Sequence, residues 1–113
     1  MYTHIVMMEF TKDADRTFFD KMGMFSQRIR AECHGVIAYD FGLNEAARSG
    51  GYTHAVVSVF SDAAANDDYQ IRPAHVDMKT YMGPFTQRIV VFDGAIPGNA
   101  VFAISLFPSD EGT

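Results

Sequence analysis

The chain has 113 residues, enough for one domain that buries roughly two thirds of its unfolded surface and too few for a second. Hydrophobic residues make up 48% and charged ones 20%, with 9 Gly and 4 Pro, which excludes a disordered or collagen-like chain. Fourteen acidic against nine basic residues give a net charge of -5 with no Lys/Arg block, so a nucleic-acid backbone is excluded as the main partner.

The one cysteine, Cys33, can form neither an intrachain disulfide nor a cysteine-rich metal site and suits a reducing compartment. The N-terminal apolar run is broken at Glu9 and has no basic residues before it. The longest other run, Val101 to Phe107, is far below a spanning length. The expectation is a cytoplasmic protein without a membrane partner.

Residues 3–10 are short, apolar and followed by Thr11-Lys12-Asp13, which predicts a first strand. From Asp13 to Ala31 the period changes: Phe18, Met22, Phe25 and Ile29 form one stripe of an amphipathic helix, and Gly35 follows as its stop. Residues 36–41 predict a second strand, 44–51 a loop, and 52–60 a third strand. Ser61 is the expected N-cap of a second helix running to Arg72. Pro73 then opens a short extra helix through Met82, stopped by Gly83-Pro84. Residues 87–93 predict the fourth strand. A further strand is expected at Val101 to Phe107, in a C-terminal extension (95–113) beyond the domain proper (1–94).

This order is the βαββαβ pattern of a ferredoxin-like α+β fold, with antiparallel strands in spatial order 4-1-3-2 and the helices on one face. The strands barely alternate: Ile5-Val6-Met7-Met8 and Ile89-Val90-Val91-Phe92 are apolar on both faces, as strands buried on both sides are. Helices can cover only one face, so an identical sheet related by a two-fold axis is expected on the other. The partner predicted is a second copy of the chain.

Five anchors in register carry a family resemblance: His4 on the first strand, Gly51-Tyr52-Thr53-His54 at the third, Tyr69, Pro73-Ala74-His75, and the closing Val91-Phe92-Asp93. Over residues 3–94 the chain resembles the stress-responsive A/B barrel domain (Dabb) family of dimeric α+β barrels, and within it the plant polyketide cyclases. The resemblance implies a cofactor-free cyclase or lyase acting on a small apolar, polyketide-like carbonyl compound through a Tyr/His pair, here Tyr69 and His75. Met22 stands where those cyclases have a pocket tyrosine, and Arg72 where they have a histidine. The competing reading is a non-catalytic homodimer, structural or ligand-binding and linked to stress.

Proton-transfer chemistry needs a base and a group that steadies a developing oxyanion. His75 opens the short helix, where the positive dipole end favours a neutral, proton-accepting ring. Tyr69 lies across the Pro73 break, which is expected to bring its hydroxyl to the imidazole. If the second helix ends where the third strand begins, His54 joins them at a cavity lined by Met22 and by Met78 or Met82. His4 then lies about 20 Å away, outside the site, bonded to Asp93. The expected catalytic set is His75, Tyr69 and His54. No histidine pair has i, i+2 or i, i+4 spacing, and no Gly-rich loop precedes a helix, so neither a metal nor a cofactor is expected.

Overall fold

Two acidic caps start the first two helices. Asp15 accepts a hydrogen bond from the Phe18 amide and opens α1 (Arg16–Glu32), whose stripe Phe18, Met22, Phe25 and Ile29 is buried as its spacing predicts. Asp62, not Ser61, caps α2 (Ala63–Ile71) by accepting from the Ala65 amide at 2.8 Å. Ser61 is engaged earlier, its amide donating to the Gly35 carbonyl in the turn that ends α1. Pro73 occupies the first turn of α3 (Pro73–Met82), where its missing N–H costs nothing.

The computed structural model describes residues 1–97. Its strands are β1 (Tyr2–Phe10), β2 (Val36–Leu43), β3 (His54–Phe60) and β4 (Thr86–Ala95). They form one antiparallel sheet in the order β2-β3-β1-β4, the predicted topology. With its three helices the chain has a ferredoxin-like α+β fold. Pairing continues past β4, since Ile96 and Met1 exchange backbone hydrogen bonds at 2.8 and 3.1 Å. The strand expected at 101–107 lies outside the described residues.

The two sheet faces differ. On the helix side His4, Val6 and Met8 of β1 and Val56, Ser58 and Phe60 of β3 are buried under the helices. On the other side the ladder aligns Phe92, Ile5 and Val57 in one row and Val90, Met7 and Ala55 in the next. Val57, Val90 and Phe92 are exposed there, Phe92 at 57%. Apolar side chains therefore do occupy both faces, and within one chain only one face is covered. No helix among the described residues is long and apolar enough to cross a membrane.

Candidate functional site

Between the sheet and α2–α3 lies a cavity of about 110 Å³. Val6, Met8 and Val56 form its floor, Met78 and Met82 its roof, and Ile89 and Val91 of β4 its open side. Three rings enter this apolar space: His4, Tyr69 and His75. Tyr69 sits between the other two, its ring centroid 5.5 Å from that of His4 and 4.0 Å from that of His75.

His4 is buried at 4% exposure, and its Nδ1 lies 2.5 Å from Asp93 Oδ1. The sheet sets this contact, because His4 and Asp93 are directly opposed on β1 and β4. A carboxylate can only accept, so Nδ1 carries the hydrogen and Asp93 fixes the orientation of the ring. His75 is also buried, and its Nδ1 donates to the Gln70 carbonyl oxygen at 3.2 Å. Burial lowers the His75 pKa to about 4; the Gln70 carbonyl opposes the shift, and the charges of Lys79 and His4 add to it. At neutral pH this ring is uncharged, with a free Nε2.

The Tyr69 hydroxyl does not reach His75 as expected. It points toward β2, 2.9 Å from the Tyr39 hydroxyl, which in turn donates to Met78 Sδ at 3.7 Å. Tyr69 therefore gives the cavity a ring wall and keeps its polar end in the core. Burial holds both phenols well above the ordinary tyrosine range, Tyr69 the further.

Residues 2–96 match the stress responsive A/B barrel domain. The chain belongs to this family. Its fold is similar to that of an Arabidopsis thaliana protein at TM-score 0.75 and 19% identity, over 87% of this chain and 97% of that one. It is also similar to a hydroxynitrile lyase from Passiflora edulis at TM-score 0.74 and 19% identity, over 86% and 94% of the two chains. A dimeric ferredoxin-like protein of unknown function from Jannaschia sp. CCS1 aligns at TM-score 0.75 and 21% identity, over 84% and 98%. No curated protein matches the chain in sequence. At these identities the likeness to solved structures shows the fold alone.

In this A/B barrel two expected site residues lie elsewhere. His54 is opposite Met8, whereas His4 is opposite Ser58, so the two imidazoles are four residues apart along the ladder, about 13 Å. His54 stacks on Phe19 and Phe41 and lies beside Phe10, with Nδ1 bonded to Thr53 Oγ1; burial lowers its pKa. His4 takes the place expected for His54. Met22 is buried in the core and does not line the cavity, while Met78 and Met82 do.

The physical reason is helix length. From Ala63 to Tyr69 the chain rises only about 9 Å, against about 20 Å for the seven residues of β3. Tyr69 thus stays near the end of β3, with its ring 5.1 Å from Phe60, instead of returning to His54. That arithmetic is available from the sequence. Gln70 and Lys79, which also line the cavity, carry no motif and were missed; Lys79 follows His75 by one helical turn, the spacing that could have found it.

Proposed function

We propose that this A/B barrel protein is a cofactor-free proton-transfer catalyst of cyclase or lyase type, acting on a small apolar carbonyl compound. The observation that carries the reading is the pair of buried imidazoles, His4 and His75, on one apolar cavity, with Asp93 behind His4. His4 Nε2 takes a proton from the carbon beside the carbonyl; the C–H electron pair moves to the carbonyl oxygen as an enolate. Asp93 steadies the resulting imidazolium, which returns its proton to the product oxyanion. Burial keeps His75 neutral, at a pKa near 4, so its Nε2 accepts from a substrate hydroxyl and orients it. The resemblance to plant polyketide cyclases read from the sequence supports an aldol-type carbon–carbon bond as the bond made, and the fold shared with a hydroxynitrile lyase is compatible with one being broken.

The test needs no physiological substrate. Exchange of the α-protons of 2-butanone in D2O, followed by NMR, should be accelerated by the protein. His4→Ala should lower the protein-dependent rate about 10²–10⁴-fold and His75→Ala less. Exchange that survives both substitutions in folded protein overturns the reading. Absence of any acceleration by the unmodified protein also overturns it and would favour the alternative, a non-catalytic ligand-binding homodimer, for which the small cavity and the engagement of Tyr69 with Tyr39 speak.

We infer in addition that the working unit is a homodimer, with a second copy over the open sheet face. The apolar row of Phe92, Ile5 and Val57, with Phe92 and Val57 exposed, supports this, as do fold relatives described as dimeric.

A further inference from the structure

We propose that Lys79 makes the cavity selective for carbonyl compounds that also carry a carboxylate, which it holds at the rim while the carbonyl lies deeper, beside the imidazoles. This rests on the proton-transfer reading of the same cavity. Lys79 lies one turn after His75 on α3, so the two side chains share a helix face, and both line the cavity. Lys79 is exposed where His75 is buried, which places the ammonium at the mouth and the imidazole inside.

Four acids are engaged with partners other than Lys79. Asp77 pairs with Arg28 at 3.0 Å, Asp68 with Arg72 at 2.8 Å, Glu9 with Arg88 at 2.6 Å, and Asp93 with His4. Among the described residues no carboxylate forms an ion pair with Lys79. In a chain of net charge -5, the other cavity-lining groups are apolar side chains, the Tyr69 ring, the Gln70 amide and the two imidazoles, and none is a carboxylate. An anionic end therefore has one place to go. The hydrocarbon part of such a compound would run along Met78 and Val91 toward His4.

The probes are 4-oxopentanoate and 2-hexanone, a keto acid and a ketone of similar length, titrated into His-labelled protein while the His4 and His75 ring signals are followed by NMR. 4-Oxopentanoate should bind more tightly by on the order of fivefold, as one rim ion pair allows. Lys79→Met should bring this preference close to one, Lys79→Arg should retain it, and raised salt should erode it. A preference indifferent to Lys79→Met, or absent from the unmodified protein, overturns the proposal, even where 2-hexanone still exchanges its α-protons and the catalytic reading stands. A Lys79-dependent preference without proton exchange supports the anion site and overturns catalysis. Ring signals that respond to neither probe overturn both.

Discussion

Replacing each of two buried hydroxyls in turn tests whether Tyr69 is a wall or a catalytic donor. Tyr39 and Tyr69 are each 1% exposed and share one hydrogen bond of 2.9 Å. Because Tyr39 donates to Met78 Sδ, Tyr69 is the donor to Tyr39. In Tyr69→Phe the Tyr39 hydroxyl keeps its sulfur acceptor, so the loss is that of one ordinary hydrogen bond, about 1 kcal/mol. In Tyr39→Phe the Tyr69 hydroxyl has no other partner among the described residues, and a buried orphan donor costs about 2 kcal/mol. The double variant leaves no orphan and should fall short of the sum by about 1 kcal/mol. Urea denaturation at one fixed protein concentration measures all three. The functional arm is α-proton exchange, which Tyr69→Phe should leave within about threefold of the unmodified rate, well under the loss expected on removing a general acid or base. A Tyr69→Phe cost above that of Tyr39→Phe would show that the hydrogen-bond order is reversed. A loss of exchange near 10²-fold would show that the hydroxyl turns into the cavity during reaction.

Burial holds His75 at about 4 against 6.5 when unfolded, so the unfolded chain binds the proton more readily. The stability His75 contributes is complete above pH 6.5 and falls as pH drops toward 4, by on the order of 3 kcal/mol. Denaturation midpoints taken across that window should show this slope flattened in His75→Gln, and an unchanged slope would refute the assignment. At the open face, Phe92→Asp places a charge in the row with Ile5 and Val57 and should give a monomer in sedimentation equilibrium at micromolar concentration. A variant that still sediments as a dimer would place the interface elsewhere.

The sequence by itself determined the elements, their order and the sheet they build. Phe18, Met22, Phe25 and Ile29 can share a buried stripe only in a helix, and Pro73 divides two helices because its ring forbids the one before it from continuing. The doubly apolar strands show by their pattern alone that one sheet face lacks a cover. Part of the site was equally legible: Tyr69 beside His75, Met78 and Met82 around them, and Asp93 on His4 all lie as expected. Only the tertiary structure decided at which end of the sheet they meet. That choice follows from a nine-residue helix too short to retrace β3, which leaves Tyr69 beside His4 and gives His54 to the phenylalanines at the opposite end. The direction of the Tyr69 hydroxyl was likewise beyond sequence patterning. A buried phenol turns toward whichever partner the packing offers, and the offer came from Tyr39, on a strand thirty residues away in sequence.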